Sequence, residues 1–307
     1  MDLPLTTAVL AALEGSPALA VLDETVSTND DLRAMAAGAA VAAVRAMPTD
    51  TDVAAWGPAE FTTVATASQT GGRGRLGRPW TAPPGESLAL SVLVRPRDSS
   101  GVPLPTEALG WFPIIAGIAM TAAVASLLPH REVTMKWPND VLVGARFPDS
   151  SEPPRKICGI LTELVRTELV RPGESLDALV VGAGLNLAIP ADRLPTATST
   201  SLAIEGAELE GDALADAAAS TFLHGFARLC SEFGLAGGDP EAGGIRHRAL
   251  DVLGTVGRAV KVTLPGGRLL RGTAVDLDRA GRIVVRPWGD GPLQAVAAGD
   301  VEHLRYE

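Results

Sequence analysis

The run Gln69-Thr70-Gly71-Gly72-Arg73-Gly74-Arg75-Leu76-Gly77-Arg78-Pro79-Trp80 places four glycines and three arginines within twelve residues. No acidic residue lies between Glu60 and Glu86, although the chain carries a formal net charge of -10. A helix is excluded here, because each interior Gly costs roughly 1 kcal/mol relative to Ala. A strand interior is also poor, since Gly offers no side chain to pack. The stretch therefore predicts a mobile loop whose backbone amides and guanidinium forks can close over an anion. Arg suits a carboxylate or phosphate better than Lys, because its planar donors grip two oxygens at once. A solvated surface loop and an RGG-like contact to nucleic acid stay equally open on these twelve residues alone.

Working outward, the 307 residues suffice for one large domain and a small one. Asp and Glu number 36 against 26 Lys and Arg, which argues against a general nucleic-acid binder with a basic face. Positive charge gathered at one loop of an acidic chain points instead to a local anionic ligand. Only Lys136, Lys156 and Lys261 are lysines, so each invites a question. Cys158 and Cys230 form no CxxC pattern and sit in apolar stretches, which fits a reduced, cytoplasmic setting. The histidines are scattered, with no metal-ligand spacing. The apolar run Thr6 to Leu13 precedes Pro17-Ala18-Leu19-Ala20, which looks like a cleavage site. Asp2 and Glu14 flank the run and no basic residue leads it, so a secretory leader is not expected. Gly110 to Leu128 is uncharged over 19 residues, but it is rich in alanine and lacks a basic flank. It predicts a buried core helix rather than a membrane span.

Along the chain, Val21 to Val26 predicts a short strand, and Ser27-Thr28-Asn29-Asp30-Asp31 opens a helix to about Gly38. Ser27 with Asp30, or Thr28 with Asp31, matches a capping box. Ala36 to Glu60 and Gly144 to Pro154 look like insertions. Strands are expected over Phe61–Ala67, Ser87–Arg95, Val133–Trp137 (resumed at Val141–Val143 after Pro138), Lys156–Thr167 and Leu176–Ile189. Helices are expected over Glu107–Leu128, Gly211–Gly234 and Arg246–Leu253. Strands interleaved with helices indicate an α/β or α+β domain. After Gly254 the pattern changes to short strands at regular spacing, which predicts a small β-barrel.

No G-x-x-x-x-G-K-[ST] occurs, so a P-loop is excluded. Gly182-x-Gly184 lacks the third glycine and the following helix of a dinucleotide fingerprint. Lys136-Trp137-Pro138-Asn139-Asp140 is more informative. A lone Lys at a strand end before a proline-forced turn is held rigidly, and a rigid ammonium can stabilise building negative charge. An Asn-Asp turn with an incidental Lys explains the same residues as well. Lys156 heads the apolar run Lys156-Ile157-Cys158-Gly159-Ile160-Leu161-Thr162-Glu163, in which Gly159 permits close approach of a ligand or backbone.

Taken together, Ser27-Thr28-Asn29, the Gly/Arg run, Lys136 to Asp140, Lys156 to Glu163 and Gly182-Ala183-Gly184-Leu185-Asn186 resemble the bacterial biotin–protein ligase family. The match runs in order from about residue 21 to 305. It implies a mixed-sheet catalytic domain over 1–253, similar to class II aminoacyl-tRNA synthetases, and an SH3-like β-barrel over 254–307. It also implies ATP and biotin as substrates with Mg2+, formation of biotinyl-5′-AMP, and transfer to a lysine of a biotin carboxyl carrier protein. Neither DNA nor membrane binding is implied, and the state expected is a monomer or weak homodimer. By the same resemblance, Lys136, Arg73 and Arg75 are catalytic. Ser27, Thr28, Asn29, Gln69, Gly72, Arg73, Gly74, Arg75, Trp80, Lys136 and Gly159 bind biotin. Arg75, Arg78, Trp80, Asn139, Lys156 and Asn186 bind the nucleotide, and Asp140 is a candidate Mg2+ ligand. A repressor-type DNA-binding segment is not visible. A lipoate–protein ligase is the alternative within the fold, and a nucleic-acid-binding module the alternative outside it.

Overall fold

A computed structural model describes residues 1–13, 17–36, 60–144, 153–165, 178–264, 266–297 and 300–303. The insertions expected at 36–60 and 144–154 fall largely outside the described residues.

The frame is a seven-stranded sheet built from β1 (Leu19–Leu22), β2 (Thr63–Thr66), β5 (Ser87–Val94), β6 (Val133–Lys136), β7 (Asp140–Val143), β8 (Arg155–Val165) and β9 (Ala178–Asn186). Its order is β1-β2-β5-β9-β8-β7-β6. The β1–β2 pair is parallel and the other pairs are antiparallel. β5 reads Ser-Leu-Ala-Leu-Ser-Val-Leu-Val and every residue in it is buried. Helices cover both faces, so a continuous apolar run replaces polar alternation. Period 2 still sorts its side chains. Leu88, Leu90, Val92 and Val94 enter the larger core, whereas Leu93 joins a second core with Leu32 and Ala36 of α2 (Thr28–Ala36). Ala89 and Ser91 share that second face, and it carries the site.

The larger core lies under α3 (Phe112–Leu127) and α5 (Gly211–Leu235). A 3₁₀ turn, Thr106–Trp111, leads into α3. The combined helix is long and apolar enough to cross a membrane, but 72% of its most apolar window is buried inside the protein. Gly117 lets α3 close on β6, since a Cβ there would lie 2.5 Å from Met135 Sδ. α1 (Pro4–Ala11) docks on α5 through Asp216, which accepts the backbone N–H of Leu5 at 2.8 Å and of Thr6 at 2.9 Å. The Thr6 hydroxyl donates to the same carboxylate at 2.7 Å. The helix at 202–205 is α4 (Leu202–Glu205), and α6 (Ile245–Val252) closes the large domain.

Beyond α6, β10 (Ala259–Thr263), β11 (Leu269–Leu277), β12 (Ile283–Pro287), β13 (Gln294–Val296) and β14 (Asp300–His303) form an antiparallel sheet. Its order is β13-β12-β11-β10-β14. Two indoles attach it. Trp111 Nε1 donates to the Arg279 carbonyl at 2.8 Å, and Trp137 Nε1 to the Gly281 carbonyl at 3.0 Å.

Two local expectations change. The strand expected over Val21–Val26 ends at Leu22, and Thr25 instead bridges to Gln69. Val141–Val143 does not resume the strand before Pro138. The Lys136–Asp140 motif is a hairpin turn in which β6 and β7 run antiparallel with Lys136 opposite Asp140.

Candidate active site

The cavity lies on the α2 face of the sheet and encloses about 350 Å³. Its floor is three glycines on neighbouring strands. Gly159 of β8 is in register with Gly184 of β9, and Leu161 with Gly182. Each glycine leaves room for a side chain from elsewhere. A Cβ on Gly184 would lie 2.5 Å from Trp80 Cε2, and one on Gly159 would lie 2.9 Å from Trp80 Cζ3. A Cβ on Gly182 would collide with the Asn29 amide. Glycine inside these strands therefore marks a close approach.

One wall is the first turn of α2. Ser27, Thr28 and Asn29 are only 3–5% exposed yet line the cavity. Such burial requires partners, and they are present. The Gln69 side-chain oxygen accepts from Thr28 N–H at 3.0 Å. Ser91 Oγ lies 2.7 Å from Thr28 Oγ1 and donates to Asn29 Oδ1 at 2.6 Å. Asn29 Nδ2 donates to Glu163 at 2.7 Å. Half of the expected capping box exists. Asp30 N–H reaches Ser27 Oγ at 3.4 Å, while the Asp30 carboxylate turns to Arg73.

The Gly/Arg stretch forms the lid. It is a short ribbon rather than an irregular loop: β3 (Gly72–Arg73) pairs with β4 (Pro79–Trp80), joined by a 3₁₀ turn at Arg75–Gly77. The Gly74 N–H donates to Arg78 O at 2.7 Å, and Leu76 and Gly77 both take positive φ, 60° and 71°. Gly72 is required because a Cβ would lie 2.5 Å from the Trp80 carbonyl oxygen. At two residues per strand, pairing needs little side-chain packing, so glycine is tolerated.

The last wall brings Lys156, Asp140, Asn139 and Asn186 together. Lys156 Nζ is 2.6 Å from the Asp140 carboxylate and lies over the Trp80 ring, 5.3 Å from a ring centroid. Asn139 donates to Ile160 O at 2.7 Å and accepts from Arg75 at 3.4 Å. Asn186 donates to Thr200 O at 2.8 Å.

Lys136 does not line this cavity. The tight hairpin turn presents Asn139 and Asp140 to it, and Lys156 Nζ stands beside Asp140 there. Arg73 lines the cavity, but both its terminal nitrogens bond Asp30 at 2.6 Å. Arg75 and Arg78, with Gly74, also line it. Ser91, Glu163, Gly182 and Gly184 were missed as site residues. The two glycines had a signal in common with Gly159, namely glycine inside an apolar strand. Glu163 ended the Lys156 to Glu163 motif without a role, and Ser91 had no signal, because its importance depends on strand register. Cys158 is fully buried, and burial pushes its thiol up to about 12, which disfavours the reactive thiolate. Among the described residues no three His, Cys, Asp or Glu side chains cluster as metal ligands.

Residues 46–186 match the Biotin/lipoate A/B protein ligase family, and residues 255–304 match the Biotin protein ligase C terminal domain. The chain is 33% identical over 301 residues to a biotin--[acetyl-CoA-carboxylase] ligase of Mycobacterium tuberculosis, covering 97% of this chain and 93% of that one. The fold is shared with the Aquifex aeolicus biotin protein ligase in complex with biotin and ATP, at a TM-score of 0.61 and 22% identity over 94% of this chain and 99% of that one. The Leishmania major biotin protein ligase in complex with biotinyl-5-AMP aligns at a TM-score of 0.52 and 26% identity, over 92% of this chain and 99% of that one. Fold and site thus define an acyl-activating protein ligase of the biotin/lipoate type. Within that class, the chain belongs to the biotin–protein ligase family.

Proposed function

We propose that this cavity activates biotin with ATP and passes it to a lysine of a biotin carboxyl carrier protein. The observation that carries the reading is the juxtaposition, over one glycine floor, of a buried polar wall and a cationic wall. A flat bicyclic head fits between Trp80 and the wall formed by Ser27, Thr28, Asn29 and Gln69. That wall is 3–5% exposed at its first three residues and supplies both donors and acceptors, which suits a ureido group. An apolar dithiolane has no donor or acceptor to offer that wall, whereas a ureido group has both. This favours biotin over lipoate.

The biotin carboxylate oxygen attacks the α-phosphorus of ATP. A P–O bond forms, the bond to pyrophosphate breaks, and biotinyl-5′-AMP results. Two anions must be brought together, which requires cations fixed in advance. Lys156, held by Asp140, and Arg75, held on Asn139, supply that charge, and Arg78 and Asn186 face the nucleotide. The carrier lysine, as a neutral amine, then attacks the acyl carbon. A C–N bond forms, AMP leaves with the electron pair of the broken C–O bond, and the amine releases a proton. The Gly/Arg ribbon keeps water from the mixed anhydride meanwhile. Mg2+ suits this donor set as an ion carried mainly on the phosphates, with Asp140 the nearby carboxylate, and it would neutralise phosphate charge. Two cysteines without a disulfide fit a cytoplasmic setting.

The test is exchange of labelled pyrophosphate into ATP. Biotin should support it and lipoate should not. Exchange with lipoate alone, or with neither, would refute the reading.

A further inference from the structure

Lys156 reaches the cavity because β8 carries a bulge. Along β7, Val141 pairs with Cys158 and Leu142 with Lys156, so Ile157 is an extra residue with no partner of its own on that strand. Ile157 and Cys158 are both buried in the larger core, although strict alternation would send them to opposite faces. The extra residue therefore turns Lys156 to the side of Gly159, where it lines the cavity beside Asp140. A bulge re-aims a side chain in this way and interrupts the ladder at the same place. The other neighbouring strand is lost there too, since β9 pairs with β8 only from Cys158 onward. In its place, Lys156 N–H donates to Thr198 O at 2.7 Å, and Lys156 O accepts from Thr200 N–H at 2.8 Å.

That substitute segment is tied down by Glu205, the last residue of α4. Its side chain is only 1% exposed. It accepts from Thr200 Oγ1 at 2.6 Å and from Arg155 at 2.7 Å, and it pairs with Arg131 as well. A carboxylate this deep needs such partners to offset its lost hydration. The short helix beneath it is itself anchored, because Ser201 Oγ donates to Ile189 O at 2.9 Å and caps Ile204 N–H at 3.4 Å. Arg155 precedes Lys156, and Thr200 bonds its carbonyl, so one carboxylate grips the chain on both sides of that lysine. Glu205 does not line the cavity. We propose that Glu205 is a positioning residue: it clamps Arg155 and Thr200 around the bulge and thereby holds the Lys156 ammonium in the cavity against Asp140. The placement of Lys156 stands on geometry alone. Its effect on turnover rests on the activity proposed above.

Brief acetylation of the ligand-free protein with a water-soluble N-hydroxysuccinimide ester tests the placement. Lys136, Lys156 and Lys261 are the only lysines, so peptide mapping by mass spectrometry reads each rate separately. An amine bonded to a carboxylate must let go before it attacks the reagent. Glu205→Ala should raise labelling of Lys156 relative to Lys261 about threefold to tenfold. Thr200→Val should raise it as well, and Glu205→Gln, which keeps an acceptor but loses the charge, should fall between parent and alanine. Asp216→Ala, which loosens α1 away from the cavity, should leave the ratio at the parental value and so controls for general destabilisation. A parental ratio in Glu205→Ala, or an equal rise in Asp216→Ala, would overturn the clamp. Where Glu205→Ala fails to fold, a parental ratio in both Glu205→Gln and Thr200→Val would overturn it. In pyrophosphate exchange, Glu205→Ala should lower kcat about tenfold and change KM for biotin less than about twofold. In a Lys156→Ala background it should cost less than about twofold further, because both changes act through one ammonium. An undiminished loss without Lys156 would make the role of Glu205 merely structural. Absence of exchange in the parent would count against the proposed activity and leave the labelling ratio to judge the clamp.

Discussion

Gly184→Ala adds one methyl group to the cavity floor. The backbone there is an ordinary strand and not left-handed, so alanine carries no conformational penalty and removes some unfolded-state entropy. The cost comes from Trp80. The new Cβ would lie 2.5 Å from Cε2, 2.6 Å from Nε1 and 2.9 Å from Cζ2. Normal carbon contact begins at about 3.5 Å, so the indole must retreat by about 1 Å. Its ring already spans the floor from Gly184 to Gly159, where a Cβ would lie 2.9 Å from Cζ3. It must lift towards the space reserved for ligand. Overpacking of this kind costs about 1–3 kcal/mol, and a 1 Å misplacement in an active site can lower turnover by about 10²-fold. We expect Gly184→Ala to lower kcat/KM for biotin in pyrophosphate exchange by about 10²-fold. The melting temperature should fall by about 2–12 °C, taking roughly 2–4 °C per kcal/mol. Trp80→Phe in the same background should restore part of the activity by relieving the clash. Parental kinetics in Gly184→Ala would refute the close-approach argument for the floor.

Lys156→Ala should reduce adenylate formation by about 10²–10³-fold, whereas Lys136→Ala should cost less than about tenfold; burst assays of AMP-ester formation would show the reverse order if the ammonium is misassigned. Asp216→Ala removes the acceptor for Leu5 and Thr6 N–H groups at 2.8 and 2.9 Å, and should destabilise the fold by about 1–3 kcal/mol without changing KM for biotin; chemical denaturation measures this. Burial raises Glu60 from 4.5 to about 7, so the folded state holds its proton more tightly than the unfolded chain. The stability this provides is full below about pH 4.5 and is lost as pH rises through about 7. Melting curves of Glu60→Gln should show a flatter pH dependence over that window, and identical profiles would contradict the assignment.

Much of the architecture was legible because apolar periodicity and turn chemistry agree along this chain. Ser87–Val94 and Phe112–Leu127 announce themselves as a doubly covered strand and a core helix. The Gly/Arg stretch was legible as a site segment, and it does line the cavity, but its form as a ribbon was not. Two-residue strands leave no periodic signal, and their glycines oppose the usual propensity. Which of Lys136 and Lys156 pairs with Asp140 was not legible either. Both head or end apolar strands, and only the hairpin at Asn139 and the β7–β8 register show which ammonium meets Asp140. The role of Trp137 was not legible: its indole is committed to the Gly281 carbonyl and the C-terminal sheet. Ser91 and Glu163 depend on which strands are neighbours, which no local window contains.

The central claim is that one glycine-floored cavity holds the acyl group and the nucleotide together, with Lys156 between them. A crystal structure of the parent protein with biotin and a non-hydrolysable ATP analogue tests it most directly. We expect the biotin ring system between Trp80 and the Ser27-Thr28-Asn29 wall, and Lys156 Nζ within about 3 Å of both the carboxylate and the α-phosphate. Ligands bound elsewhere, or a Lys156 that stays on Asp140 while Lys136 bridges the two anions, would contradict it.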